Sequence, residues 1–227
     1  MRLVLLVVSG VLAVAVLVSL GLWQVQRLHW KQEILTRIET RISADPSPLP
    51  ATFDEAADRY RPVEISGRST GEELHVLVST AATGAGYRVI VPFETDEGRR
   101  IMVDLGVIPT EEKAPPRAGQ HMDVLGNLHW PQETDRFTPD PERGRNIWFA
   151  RDVPIMAETL GTEPVLVVAR RTEPPVPDVL ALPITTEGIP NDHLNYAITW
   201  FSLAAICAGM TLLLALRMAR GKEETDG

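Results

Sequence analysis

Apolar residues are spread unevenly along this chain. From Leu3 to Leu22, twenty residues pass with nothing more polar than Ser9 and Ser19, and from Tyr196 to Leu216 a second run of 21 carries no formal charge. At about 1.5 Å per residue each run makes a helix of about 30 Å, the thickness of a bilayer's hydrocarbon. The pattern predicts two membrane spans, residues 3–22 and 193–216, the second followed by a tail, 217–227. Past the first span Trp30, Ile34, Ile38 and Ile42 recur every four residues among Glu and Arg. That spacing extends the helix outward over 23–44. It should end at DPSPLP, residues 45–50, where three prolines remove donors and fix φ.

The period then shortens. β-rich runs follow in VEIS (63–66), LHVLVS (74–79), YRVIVPF (87–93), RIMVDL (100–105), MDVLGNLHW (122–130), NIWFA (146–150) and PVLVVAR (164–170), parted by turns such as TDEG and KAPPRAG. Many short strands with regular turn signals predict a mainly antiparallel β domain over 45–192, barrel- or sandwich-like. One short helix should interrupt it, with Asp152 as N-cap, Pro154 in its first turn and Gly161 closing it. The segment EPPVPDVLALP, 173–183, reads as an extended lead back to the second span. The fold class is thus a membrane protein with two transmembrane helices flanking an exported β domain.

Composition refines this picture only slightly. The chain is 44% hydrophobic and 23% charged, with a mean hydropathy near zero, which is high for a purely soluble protein. Ala13-Val14-Ala15 resembles a signal-peptide cleavage site, but cutting there would expose VLVSLGLW and the n-region holds only Arg2, so a retained anchor is expected. The apolar run begins at residue 3, which leaves no mitochondrial transit peptide and points to a bacterial chain. Basic residues follow both spans, Arg27, Lys31, Arg37 and Arg41 after the first and Arg217, Arg220 and Lys222 after the second. Both termini of a two-span chain lie on one side, so the positive-inside rule contradicts itself here. Between Trp23 and Asn195 stand 27 acidic and 18 basic residues, a net of −9, which excludes a nucleic-acid partner for want of a basic stripe. The one cysteine, Cys207, lies in the second span, so the β domain has no disulfide or thiolate metal site.

Catalytic patterns are thin. There is no HExxH, GxSxG or phosphate-binding glycine loop, and His75, His121 and His129 read as surface or strand-face histidines without metal-ligand spacing. The carboxylates read as a solvated acidic surface. The chain is therefore not expected to be an enzyme.

The membrane margins carry more. On a continuing helix Trp23, Arg27 and Trp30 share one face at i, i+4 and i+7, with Gln24 and Lys31 beside Arg27. Two readings stand: an interfacial aromatic belt with snorkelling cations, or a clamp in which Arg27 grips a carboxylate between flat indole walls. Counting about 100° per residue from His193, one face of the second span carries Tyr196, Ala197, Trp200, Ala204, Cys207, Ala208, Thr211 and Ala215. Leu194, Ile198, Phe201, Leu212, Leu213 and Leu216 point away. The small face is suited to helix contact, for which the first span offers Ser9-xxx-Ala13 and Ala15-xxx-Ser19. Cys207 and Met210 are soft donors for which buried packing is the expected role. Asn191 or Asp192 should cap this helix, and His193 is left either as a polar margin residue or as an iron ligand at a positive helix end.

These segments, WQVQRLHWK, GYRVIVPF, GNLHWP and above all NDHLNYAITWFSLA, resemble the Surfeit locus family of cytochrome c oxidase assembly factors, in order and over nearly the whole chain. The resemblance implies binding of haem a and assistance in its insertion into oxidase subunit I. It also implies a location in the bacterial inner membrane, both termini cytoplasmic and the β domain periplasmic. Within the family's Asn-x-His-Leu-x-Tyr-Ala-x-Thr-Trp pattern, His193 is implied as the ligand of the haem iron. Helix faces add Arg27 as a propionate partner and Trp23, Trp30, Tyr196 and Trp200 as ring contacts. Subunit I is the implied partner, with haem A synthase, membrane lipid and a second copy of the chain as further ones. Many relatives read Asn-Arg-Gly-Trp where this chain has Asp104-Leu105-Gly106-Val107. The alternative to haem delivery is a scaffold that steadies the nascent subunit without touching haem, and a membrane-anchored hydrolase lacks any recognisable nucleophile.

Overall fold

The computed structural model describes residues 1–80, 84–113, 117–187 and 189–223, the side chains of 112 and 221–223 apart. Residues 114–116 of the KAPPRAG turn and 224–227 of the tail lie outside the described residues. The chain forms two units, Met1–Arg37 with Thr186–Gly227, and Ile38–Thr185.

The helical unit pairs α1 (Arg2–Ile42, up to Arg37) with α4 (His193–Glu223). Both helices are long and apolar enough to cross a membrane, which is compatible with a membrane protein. Contact between them depends on small residues. A Cβ on Gly10 would collide with the Thr211 side chain, and one on Gly21 would lie 2.7 Å from the Phe201 ring. Ala197 and Ala204 are the buried residues of α4 among those described. Ser9, Ala13, Ala15 and Ser19, the expected contact positions, are exposed, and both serines bond back to their own helix. Of these only Ala15 lines the groove to α4, and the glycines, which let backbones approach more closely, take the contact. Phe201 is likewise turned toward α1 and not away from it, whereas Tyr196 is 56% exposed, off the packed face. Met210 is exposed too, leaving only Cys207 of the two sulfur residues half-buried.

The second unit is a barrel. Its strands are β1 (Pro62–Ser69), β2 (Leu74–Thr80), β3 (Gly84–Thr95), β4 (Arg100–Pro109), β5 (His121–His129) and β6 (Leu166–Glu173). Sheet order is β1-β5-β6-β4-β3-β2, and β1 also pairs with β3 through Gly67↔Thr95 and Ser69↔Phe93. This closes five strands into a barrel and leaves β2 as an outer hairpin arm of β3. Every strand pair is antiparallel except β4–β6, which runs parallel from Met102↔Leu166 to Asp104↔Val168. Phe93, Ile101, Met102, Ile108, Met122, Leu128 and Leu166 lie in the hydrophobic core of this unit with at most 1% of their surface exposed.

Helix α3 (Val153–Leu160) packs on this core through Met156, Ala157 and Leu160. Asp152 Oδ1 accepts from Ile155 N at 3.1 Å, Pro154 stands in the first turn, and Gly161 closes the helix in the left-handed region. Two expectations are corrected. NIWFA makes only isolated bridges, Val76↔Trp148 and Glu142↔Ile147, because its neighbours form a 3-10 turn at Arg143–Arg145 that breaks the run. A further helical turn, α2 (Glu55–Asp58), precedes the barrel, with Asp54 accepting from Ala56 N and Ala57 N. The return segment is more than a lead: Val176 and Val179 pack on the core, and Leu180 bridges to Val107 through bonds of 2.8 and 2.9 Å.

Candidate functional site

His193 opens α4. The Asp192 carbonyl already accepts from Tyr196 N at 3.1 Å, so Asp192 stands at the cap by its backbone, and Asn191 Oδ1 is buried without a partner. Asn191 therefore does not supply the expected side-chain cap. The imidazole turns to the other helix, where its Nδ1–H donates to Gln24 Oε1 at 2.8 Å. Gln24 is 8% exposed and is the one buried polar residue of the helical unit among the described residues. An amide oxygen only accepts, so Nδ1 carries a proton, and in the neutral ring the lone pair is then on Nε2. Nε2 has no hydrogen-bond partner among the described residues.

On the neighbouring face of α1 the Arg27 guanidinium lies between two indoles, 5.7 Å from the Trp23 ring and 5.1 Å from the Trp30 ring. Both tryptophans are about half exposed. The stack straightens a flexible side chain while leaving its fork free for an anion. Thus α1 brings Trp23, Arg27 and Trp30 together, and His193 joins Gln24 on the next face. Trp200 is half-buried two turns into α4, in the inner stripe with Ala197 and Ala204, while Tyr196 stands outside it. No group of three metal-capable side chains occurs among the described residues.

The barrel holds two buried charge networks that the chain's acidic composition hid. In one, Glu73 accepts from His75 Nε2 at 2.7 Å and from Arg117 Nη1 at 3.3 Å, with Glu73 and His75 almost wholly buried. Burial pushes the Glu73 carboxyl up, but His75 and Arg117 more than offset this and hold it below the ordinary range. In the other, Asp104 is fully buried and accepts from Arg88 at 2.6 Å and Arg151 at 3.4 Å, while Arg151 also donates to Glu133 at 3.1 Å. His129 stacks on Tyr60 nearby, with Nδ1 buried and unpartnered. His75 is therefore an interior residue, His129 is half-buried on its strand face, and His121, paired with Asp96 at 3.2 Å, is exposed as expected. The signal for the second network is Asp104 itself, a carboxylate in the middle of the apolar strand RIMVDLGVI.

Among known proteins, the model of the SURF1 family matches residues 11–205, which contain both helix margins and the whole barrel. This chain belongs to the SURF1 family. Surfeit locus protein 1 of Homo sapiens is 32% identical over 210 residues, covering 82% of this chain and 70% of that protein. The Xenopus tropicalis protein of the same name is 30% identical over 225 residues, 89% and 72% of the two chains, and a SURF1-like protein of Monosiga brevicollis is 30% identical over 215 residues, 86% and 82%. SURF1-family proteins are known as cytochrome c oxidase assembly factors.

The tetrapeptide Asp104-Leu105-Gly106-Val107 has a structural account here. Strand β3 pairs Val89 with Gly106 and Ile90 with Asp104, so Leu105 is the extra residue of a bulge. Gly106 has φ +132°, and a Cβ there would collide with the Leu180 carbonyl. The bulge and the bridged return segment need glycine, and Asp104 supplies the counter-charge for Arg88 and Arg151.

Proposed function

We propose that this SURF1-family chain binds haem a at the head of α4 and hands it to subunit I of cytochrome c oxidase. The observation that carries the reading is the His193 imidazole, tied through Nδ1 and open at Nε2. A neutral ring in that state is a nitrogen donor for iron, and its place at the N-terminus of a long helix favours an anionic ligand. The fit extends to charge and shape. Arg27 offers a fork for a propionate carboxylate, and Trp23 and Trp30 offer flat apolar surface, with Tyr196 and Trp200 as further ring contacts. Bound haem would supply redox-active iron to the oxidase, and the chain's own task is to hold and release it, a stoichiometric and not a catalytic role.

In this reading the β domain is periplasmic, both termini are cytoplasmic, and the helices sit in a bacterial inner membrane. Haem A synthase on the supply side, surrounding lipid and a second copy of the chain complete the set of partners. Single-histidine ligation suits a carrier, because the oxidase's own ligands can then compete for the iron. The second reading is a scaffold that never touches haem, favoured by the His193–Gln24 bond as a simple clasp between helices.

The deciding experiment is purification after co-expression with haem A biosynthesis, with visible spectra of the wild type and His193→Ala. A haem a band in the wild type that is lost or shifted in the variant supports the carrier. Bands unchanged by the substitution overturn His193 as the ligand, and bands absent from both proteins while His193→Ala still supports oxidase assembly leave the scaffold.

A further inference from the structure

We infer that Gln24 is the residue that makes His193 an Nε2 donor: it is a positioning residue that selects the imidazole tautomer and holds the ring across the two helices. This rests on the reading of His193 as the haem ligand. The observation is a polar side chain buried at the end of an otherwise apolar helix. From Leu3 to Trp23 the helix has only two serines for polarity, both satisfied by their own backbone or exposed, yet Gln24 is 8% exposed and spends its Oε1 on His193. Gln26, two residues on, is exposed.

The surroundings explain how so short a bond spans two helices. Gly21, one turn before Gln24, has no Cβ to hold α4 away, and Ala197, one turn after His193, is 2% exposed. Small residues on both sides let the backbones close, and 2.8 Å becomes reachable for two medium-length side chains. With Oε1 as acceptor the proton is confined to Nδ1, and the ring's rotation is fixed at the same time. Ligating histidines in general owe their tautomer and basicity to such a partner on the second nitrogen, and losing it costs about 10- to 100-fold in affinity. An amide oxygen is a mild partner, which leaves the ligand weaker than a carboxylate would and suits cargo that has to leave.

The test compares wild type, Gln24→Leu, Gln24→Glu and His193→Ala as full-length proteins in detergent, each first shown to keep its far-UV circular dichroism and elution volume. Leu matches Gln in size and removes the acceptor, whereas Glu restores it. Nitrogen-15 spectra of the haem-free proteins should show His193 as the Nδ1–H tautomer in wild type and Gln24→Glu, and no longer locked in that form in Gln24→Leu. Titration with haem A should then give binding at least about tenfold weaker for Gln24→Leu, with Gln24→Glu close to wild type or tighter. An Nε2–H ring in the wild type, or a Leu variant that binds haem A as tightly as wild type, overturns the role of Gln24. If His193→Ala binds haem A undiminished, the ligand reading itself fails. The tautomer spectra still decide what Gln24 does to the ring, because they need no haem.

Discussion

His129 shows what a single half-buried side chain imposes on the fold. Burial first, then the positive charges of Arg151 and Arg59, pull its pKa from 6.5 down to about 4. The folded barrel refuses a proton that the unfolded chain accepts. Stability is therefore whole above about pH 6.5 and falls as pH drops, until about 3 kcal/mol is lost below pH 4. Glu73, Glu133 and Glu163 also have lowered values, but they add slope only below their ordinary 4.5. Thermal midpoints of His129→Phe, which keeps a ring against Tyr60, should accordingly be flatter than wild type between pH 6.5 and 4.5. Asp104 is the complementary case. Asp104→Asn leaves Arg88 and Arg151 facing each other with one carboxylate, Glu133, and should cost about 3–5 kcal/mol in barrel stability by denaturant unfolding. Asp104 is marked in the sequence only by its place in an apolar strand, and His129 by nothing, since burial and ion pairing are made by strands that meet only in the fold. Gln24 was visible only as a neighbour of Arg27 on a helical wheel, and its partner lies 169 positions away.

Elements were legible where periodicity was strong and unbranched by context. The i, i+4 row from Trp30 to Ile42 ran into a single helix ending at Ile42, and Asp152, Pro154 and Gly161 bounded α3 as their chemistry requires. NIWFA failed because β-propensity cannot supply a partner strand; the edge it meets offers bridges at Val76 alone. The sequence offers serine and alanine pairs as the contacts of α1, but which side of a helix faces its neighbour is decided by both helices together. The contact at Gly10 gives a direct check. Gly10→Val must push Thr211 and its backbone outward, because the clash involves the short side chain down to its Cβ. The pair should lose about 1–3 kcal/mol, read as a lower unfolding temperature of the helical signal in micelles. Thr211→Gly in the same chain should recover most of that loss, while acting alone it should not stabilise.

At the scale of the molecule, two apolar helices and a mainly antiparallel barrel with a short helix follow from hydropathy and turn spacing. The wiring does not. Alternation says that a run is a strand, not which strand it lies beside, and nothing in PVLVVAR announces that β6 enters between β4 and β5 and runs parallel to one of them. That insertion governs timing. As the chain leaves the ribosome, β1 to β5 appear first, and until Leu166–Glu173 follows, the flanks of β4 and β5 that β6 will join stand open. Closure waits on a segment made just before α4, so a nascent chain stalled between residues 130 and 165 would carry two unsatisfied strand edges prone to join other chains. The barrel can finish folding only as the second apolar helix is being synthesised, which makes closure of the domain and completion of α4 near-simultaneous events.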